Sequence, residues 1–201
     1  MTVMIDSSHS LDECEEELGC HVEQLFTPLT RRDAQRPDDH FAIDNGSFSK
    51  FSKTLFLSCI EKHLVRKHLC RWVAVPDVVG SAIRTIECFD VWSKRLEGWP
   101  LAFVCQDGQE KLPIPWDKIQ CVFIGGSTEW KLSEHAVQII KTAIILDKMS
   151  HIGRVNTPGR FEYFENIGAT SCDGTGVARF TGHRLKIKNN NSHPRFNFEE
   201  L

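Results

Sequence analysis

The segment HFAIDNGSF, residues 40–48, contains a complete strand-to-helix transition. Its apolar run FAI is suited to a buried strand and stops at the acid Asp44. The Asn-Gly that follows is a typical turn dipeptide, and the serine after it commonly starts a helix. Asp44 is therefore either a residue that caps a turn or a carboxylate that takes part in chemistry at the mouth of a barrel.

The same unit, a short apolar run followed by a helix-like stretch, recurs along the chain. The apolar runs lie at 3–5, 20–26, 41–43, 71–75, 101–105, 121–124, 151–152 and 169–172. Apolar residues at helical spacing predict helices over 47–68, 81–96, 133–147 and 159–167. In the first of these, the predicted apolar stripe is Phe48, Phe51, Leu55 and Cys59.

Alternating strands and helices indicate parallel strands joined by helical crossovers. Eight units predict a small α/β protein with a closed (β/α)8, TIM-type barrel, and an open or incomplete barrel is the structural alternative. With 201 residues, the chain is at the small extreme for this fold. We expect a single barrel domain over residues 1–180 and a basic, loose tail over 181–201.

The composition is that of an ordinary globular protein, with 41% hydrophobic and 25% charged residues, which excludes a disordered chain. The N-terminus lacks a basic start followed by a long apolar core, so we expect no signal peptide. No apolar run approaches the roughly 20 residues of a membrane span. The expected location is the cytoplasm, or the host cytoplasm if a phage encodes the chain.

The eight cysteines are irregularly spaced and include no C-x-x-C pair. We therefore expect no bound metal, and in particular no structural zinc. Cys105, Cys121 and Cys172 lie in apolar, strand-like runs, which favours small buried side chains in a reducing compartment.

The net charge of −3 hides an asymmetry, because residues 1–20 carry six acids and no Lys or Arg. Basic residues that could contact phosphates form two clusters, and one more follows the seventh apolar run. These candidates are Arg31, Arg32, Arg36, Arg154, Arg184, Lys186 and Lys188. An ordinary solvated surface is the alternative interpretation.

Six of the eight apolar runs are followed by polar residues or glycines. These are Asp44, Asp77, Gln106, the pair Gly125 and Gly126, Arg154, and Asp173. In a parallel barrel such positions meet at the C-terminal rim, where active sites lie. Paired carboxylates there could attack an anomeric carbon and move a proton, or bind a divalent cation, or simply cap helices.

Five segments point to a known family. FAIDNGSF resembles the TDSGGFQ segment of tRNA-guanine transglycosylases, and VPDVVG, FVCQDG, FIGGSTEWK and IGATSCDGTGVAR follow in that family's order. The resemblance covers roughly residues 40–180. It is closest to the phage-type, DpdA-like branch, which inserts 7-deazaguanines into DNA. The family fold is a (β/α)8 barrel, in agreement with the independent count of strands.

The resemblance implies a role for each rim residue. Asp173 corresponds to the nucleophile that attacks C1′ and forms a covalent sugar–enzyme intermediate. Asp44 corresponds to the general acid and base. Asp77 would accept hydrogen bonds from the N–H edge of guanine. Gln106 and the backbone at Gly125 and Gly126 would recognise its carbonyl side.

The chain departs from the family in two places. Asn45 and Ser47 replace a Ser and a Gly of the family motif, so the role of the residue beside Asp44 stays open. The family's C-x-C-x-x-C…His zinc element is missing, because no cysteine follows Cys172. This loss fits the phage-type branch, whose implied partners are DNA and a free 7-deazaguanine base, with no cofactor. A tRNA transglycosylase and an inactive nucleic-acid-binding barrel are the alternatives.

Overall fold

The structure, a computed structural model, describes residues 1–6 and 9–192. Eight parallel strands form a closed barrel in sequential order. The strands β1 to β8 are Thr2–Ile5, Val22–Phe26, Phe41–Ile43, Cys70–Ala74, Leu101–Cys105, Cys121–Ile124, Met149–Ile152 and Ser171–Asp173. The predicted (β/α)8 architecture is therefore confirmed, and the alternative of an open barrel is excluded.

The barrel is closed by β1, which pairs with both β2 and β8. Val3 lies opposite Val22 on one side and opposite Cys172 on the other. Because all eight strands are parallel, their carboxyl ends meet at one rim. Every residue that directly follows a strand therefore lies near this rim.

Helices surround the barrel, and most of them begin at a serine or threonine cap. The helices α1 to α8 are Leu11–Leu18, Lys53–Lys62, Ala82–Arg95, Thr128–Lys131, Glu134–Ile145, Pro158–Ile167, Thr175–Arg179 and Thr181–Ser192. A 3-10 helix, Leu64–Leu69, follows α2. Two crossovers use other structures: residues 27–40 form a loop, and 3-10 turns at Gln109–Lys111 and Trp116–Lys118 connect β5 to β6.

The helix predicted over 47–68 is shorter than expected. It begins only after Ser52, whose hydroxyl accepts a hydrogen bond from the N–H of Leu55. Phe48 and Leu55 are 64% and 45% exposed, whereas Phe56 is fully buried. The predicted stripe was therefore only partly right. Cys59 is buried and Phe51 packs against the core, whereas Phe48 and Leu55 are exposed because the segment before Ser52 is a turn at the rim and shifts the buried face of the helix.

The core has two layers. The larger layer lies between the barrel and its helices, and the smaller one fills the barrel. Inside the barrel, Trp72 meets Phe123 edge-on at 5.6 Å between ring centroids. Phe123 also lines the rim pocket, so the packed interior provides the floor of the site. The predicted burial of Cys105, Cys121 and Cys172 is confirmed.

The tail predicted to be loose over 181–201 instead forms α8, which packs against α1. Ile187 is buried, and the guanidinium of Arg184 binds the carboxylate of Glu17 at 2.5 Å. The acidic N-terminal helix thus holds the basic C-terminal helix in place, which composition alone does not reveal. The part of the prediction that concerns residues 193–201 lies outside the described residues.

Candidate active site

A pocket opens at the carboxyl ends of β3 to β8. The space between its walls that no atom occupies is about 470 Å³, part of it open to solvent. Five of the six predicted catalytic and base-binding residues line it, and Gly126 directly follows one of them. The five are Asp44, Asp77, Gln106, Gly125 and Asp173.

Two side-chain amides, those of Asn45 and Gln106, hold the carboxylate of Asp77 in place, and we call this arrangement the clamp around Asp77. Its Oδ1 accepts a hydrogen bond from Asn45 Nδ2 at 2.9 Å, and its Oδ2 accepts one from Gln106 Nε2 at 2.7 Å. The same Asn45 amide donates to the carbonyl of Val75, and Gln106 Oε1 accepts from the N–H of Gly80. Burial raises the pKa of Asp77, and these hydrogen bonds oppose the rise. Asn45, whose role the sequence left open, thus orients Asp77.

Asp44 ends β3 and faces the same pocket. Its Oδ1 accepts a hydrogen bond from the N–H of Gly46 at 2.7 Å, the turn contact expected for an Asp before a turn. Burial raises the pKa of Asp44 to about 6, with further contributions from the carboxylates of Asp173 and Asp77. A carboxyl group with such a pKa can both give and take a proton near neutral pH.

Asp173, at the end of β8, has the opposite character. Its Oδ1 accepts a hydrogen bond from the backbone N–H of Arg154 at 2.5 Å. Burial alone would raise its pKa, but the imidazole of His151, the N–H of Arg154 and the ammonium of Lys131 hold the pKa below its usual range. Asp173 is therefore an ionised carboxylate beside a carboxyl group that retains its proton more strongly. Such divergent pairs divide nucleophile and acid roles.

His151 is a site residue that the sequence analysis missed. It is completely buried on β7, between the rings of Trp72 and Phe123, each 4.6 Å from its own. Its Nδ1 lies 2.9 Å from Ser171 Oγ, and its Nε2 lies 3.7 Å from Asp173 Oδ1. Within the described residues Nε2 has no hydrogen-bond partner. The available signal was a polar residue within an apolar run, at a position paired with β8.

The two glycines after β6 allow the backbone to close over the pocket. A Cβ on Gly125 would lie 2.9 Å from the carbonyl oxygen of Cys105. Gly126 has a φ of +31°, and a Cβ there would lie 2.5 Å from Asp107 Oδ1. Any larger residue would push this loop away from the pocket, so both glycines have a steric reason to be present.

Arg154 lines the pocket, and its contact with a phosphate, expected from the sequence, stays a prediction. Its Nη2 donates to the carbonyl oxygens of Gly126 at 2.5 Å and Gly125 at 3.4 Å. Its guanidinium lies over the ring of Phe48, 4.2 Å from the centroid. The backbone at Arg154 has a φ of +61°, which directs its N–H to Asp173. This single residue therefore contacts both the loop after β6 and Asp173.

Lys131, at the end of α4, is a second cation that the sequence analysis missed. It is buried, and its Nζ donates to the carbonyl of Gly153 at 2.5 Å. Burial first, and then the nearby charge of Arg154, lower the pKa of Lys131 to about 8. At neutral pH it remains mostly protonated and contributes positive potential beside β7.

Asp44 and Asp173 also line a second recess, on the side of β1 and β2. This recess encloses about 510 Å³ of space, some of it open to solvent. Its walls include Met4, Leu25, Thr27 and Thr175. Asp44 and Asp173 therefore lie where the two recesses meet.

Several of the predicted phosphate contacts are engaged within the chain. Arg36 forms ion pairs with Asp12, with Glu15 at 2.9 Å and with Asp39 at 3.6 Å. Arg184 is only 6% exposed, so its prediction as a phosphate contact was wrong. It donates instead to Glu17 and to the carbonyls of the preceding helix.

The remaining basic candidates are on the surface. Lys188 is exposed, and its Nζ donates to the carbonyl of Glu16 at 2.9 Å. Arg31, Arg32 and Lys186 are exposed. Contact of these residues with phosphates stays a prediction.

Within residues 1–6 and 9–192, no group of three or more His, Cys, Asp or Glu side chains is arranged to hold a metal ion. Over the same ranges, the helices are too short or too polar to cross a membrane.

Comparison with known proteins supports the architecture. Phosphoribosyl anthranilate isomerase from Thermus thermophilus matches with a TM-score of 0.50 and 11% identity, over 96% of this chain and 98% of that one. The chain is a (β/α)8 barrel. A structure described as native KDPGal aligns with a TM-score of 0.47 and 11% identity, over 94% and 93% of the two chains. Neither a protein-family model nor a curated protein sequence matches the chain.

Proposed function

We propose that this protein is an enzyme, a pentosyltransferase that exchanges guanine in DNA for a 7-deazaguanine base such as 7-cyano-7-deazaguanine. The observation that carries the proposal is the pair Asp44 and Asp173. Their pKa values are displaced in opposite directions, and they stand between two recesses. The resemblance of the five rim segments to the transglycosylases indicates which substrate the recesses hold.

The clamp around Asp77 fits the Watson–Crick edge of guanine. Asp77 presents carboxylate oxygens to the N1–H and the 2-amino group of the base. The Gln106 amide, which donates one hydrogen to Asp77, has a second hydrogen for O6. On the same carbonyl side we place the backbone of Gly126, because the N–H of Gly125 already donates to the carbonyl of Cys105 at 2.9 Å.

The reaction would proceed through two displacements. Asp173 attacks C1′, and an ester bond between its oxygen and C1′ forms as the bond from C1′ to N9 of guanine breaks. Asp44 supplies the proton that the departing guanine requires. The incoming base then gives its N9 proton to Asp44 and attacks C1′, which releases Asp173. Two inversions restore the β-configuration that DNA needs.

Access to C1′ imposes one condition on the substrate. Within a stacked duplex this atom is shielded, so the nucleotide must be flipped out or already single-stranded. In this arrangement the base would occupy the pocket of Asp77, and the sugar would occupy the recess of Thr27 and Thr175. The bond that is cut would then lie between the two carboxylates.

The test is incubation of the full chain with labelled guanine and, separately, single-stranded DNA, duplex DNA and tRNA. We expect label in DNA, and a covalent protein–DNA adduct after quenching. Asp173→Asn should abolish both, because the adduct requires a carboxylate nucleophile. Asp90→Asn, an exposed acid on α3, is the matched control and should behave as the wild type.

Three results would contradict the proposal. Incorporation of labelled guanine into tRNA alone would show that the substrate is tRNA and not DNA. DNA binding without any exchange would favour an inactive binding barrel. Substantial exchange by Asp173→Asn would show that the nucleophile is misassigned.

A further inference from the structure

One ionisable side chain inside the barrel, His151, has no part in the two proposed displacements. Its Nδ1 lies 2.9 Å from Ser171 Oγ, and its Nε2 lies 3.7 Å from Asp173 Oδ1. A bare Nε2 would point its lone pair at the negative charge of Asp173, which is unfavourable. The favourable arrangement places the hydrogen on Nε2, and Nδ1 then accepts a hydrogen bond from the hydroxyl of Ser171. Ser171 thus sets which nitrogen carries the proton.

Asp173 needs a partner inside the barrel because its pocket side is acidic. Asp44 and Asp77 line the same pocket, and their negative charges disfavour a third carboxylate. Burial also raises the pKa of Asp173, yet His151, first among the groups that oppose it, helps to hold this pKa below the usual range. Because Oδ1 accepts the N–H of Arg154, Oδ2 is the oxygen left to attack, and an imidazole that faces Oδ1 does not obstruct it.

Other ionisable side chains near this pair include Cys121, Lys131 and Asp44. Cys121, on the adjacent β6, is a neutral thiol at ordinary pH, since burial raises its pKa. Lys131 adds positive charge near Asp173, but its Nζ donates to a backbone carbonyl. Asp44 adds a negative charge when it ionises. None of these three replaces the N–H that His151 directs at the carboxylate.

A buried histidine with a purely structural role is the alternative, and this protein contains one for comparison. His63, at the end of α2, is 4% exposed and packs against the rings of Phe26 and Phe41, with centroids 4.0 and 5.3 Å from its own. Its Nδ1 lies 2.8 Å from the carbonyl of Cys59. His151 is equally buried among aromatic rings, but it faces a carboxylate of the site. Packing alone does not account for that direction.

We propose that His151 is a positioning residue for Asp173: Ser171 keeps its proton on Nε2, where it stabilises the carboxylate before attack and again when the sugar ester breaks. This inference rests on the proposed function for the reaction itself. In the second displacement the bond from C1′ to the Asp173 oxygen breaks, and its electron pair returns to the carboxylate. The incoming base bonds to C1′ through N9 and gives its proton to Asp44. The N–H of His151 favours this step because it makes the carboxylate a better leaving group.

The first test measures the ionisation of Asp173 in the full chain without substrate. Aspartate carboxyl groups are isotope-labelled for NMR in the Asp44→Asn background, so that this neighbour does not titrate, and the additional change Asp173→Asn identifies the signal. We expect His151→Leu to raise the pH at which Asp173 titrates by about one pH unit or more. His151→Gln, whose amide keeps a donor, should reverse part of this shift. His63→Leu is the control, matched in burial, and should leave the titration unchanged.

The second test separates the two displacements, with Asp44 intact. Covalent adduct and exchange of labelled guanine into DNA are followed together in the wild type and in His151→Leu. We expect exchange to fall by about 10-fold or more, as when a donor to a developing oxyanion is removed. The adduct should persist longer than in the wild type, because the release of Asp173 is slowed. A purely structural role would lower adduct formation and exchange in proportion.

An unchanged titration of Asp173 in His151→Leu would overturn the inference, as would an equal shift in His63→Leu or a proportional loss of adduct and exchange. If His151→Leu does not fold, Ser171→Ala takes its place, since it leaves the imidazole and removes what fixes its proton. It should also raise the pH at which Asp173 titrates, and no shift would count against the inference. If the wild type exchanges no guanine, the proposed function fails, while the titration still decides whether His151 stabilises Asp173.

Discussion

At the scale of single residues, the site shows that environment, not residue type, separates the roles of its aspartates. Asp44 is buried beside two other carboxylates, and its pKa rises to about 6. Asp173 has an imidazole, a backbone N–H and an ammonium around it, and its pKa falls. The proposed function uses this difference, with Asp44 as the group that transfers a proton and Asp173 as the group that attacks.

The raised pKa of Asp44 predicts that this residue, when ionised, lowers the free energy of unfolding. Its folded value of about 6 exceeds its ordinary 3.8, so the folded state holds this proton more tightly than the unfolded chain. The contribution of protonated Asp44 to the stability of the fold is fully present when the pH is below the ordinary pKa, and it is lost as the pH rises through about 6. Asp44→Asn should raise the free energy of unfolding at pH 8 by about 1–3 kcal/mol, and much less at pH 4.

Urea denaturation at the two pH values measures this effect. The neutral Asn side chain keeps an oxygen for the N–H of Gly46, so the turn is preserved. Asp90→Asn on the surface is the control and should change the stability little at either pH. If Asp44→Asn were less stable than the wild type at pH 8, the surroundings of the ionised Asp44 would offset its cost of burial more fully than the structure indicates.

At the scale of secondary-structure elements, the position of helix α8 depends more on its contacts with other helices than on an apolar pattern in its own sequence. Few residues of α8 are buried, and Arg184 carries much of its attachment, through Glu17 and the carbonyls of Val177 and Ala178. This side chain connects three helices, α1, α7 and α8. The helix is thus held by charge and hydrogen bonds where most helices are held by an apolar face.

Replacement of Arg184 should therefore be costly. Arg184→Met leaves the Glu17 carboxylate and two carbonyl groups without their donor, so we expect a loss of about 2–4 kcal/mol in the free energy of unfolding. Lys186→Met, an exposed change on the same helix, should stay within about 0.5 kcal/mol. Urea denaturation compares the two variants, and equal effects would mean that α8 contributes nothing through Arg184.

At the scale of the whole molecule, the charge distribution limits how a nucleic acid could bind. The acids of α1 engage Arg36 and Arg184, and the exposed candidates for phosphate contacts include Arg31, Arg32 and Lys186. Replacing all three by Gln should weaken DNA binding equally for all sequences. If each contacts one phosphate, the slope of log K against log salt should fall by roughly 2–3.

The control for this prediction replaces three exposed lysines elsewhere on the barrel. These are Lys94, Lys118 and Lys141. Binding to fluorescent DNA at several salt concentrations measures both slopes. If the two triple variants show the same slope, the three predicted residues form an ordinary solvated surface.

The sequence by itself determined the barrel and most of the rim. Apolar runs, turn residues and serine caps are local signals, and each β–α unit could be recognised within about 30 residues. The positions that directly follow each strand could be predicted from the sequence for the same reason. Asp44, Asp77, Gln106, Gly125 and Asp173 therefore line the pocket as predicted.

Only the tertiary structure decided what surrounds these residues. Asn45 orients Asp77 across 32 positions of sequence, and Arg184 reaches Glu17 across 167. Lys131 carries no local mark that separates it from an ordinary helix residue, and the only mark of His151 is that it is polar within an apolar run. Their roles arise from burial and from neighbours on other strands, and these depend on how the closed barrel brings distant segments together. The pKa values that distinguish Asp44 from Asp173 have the same origin, because dielectric and charge act through space and not along the chain.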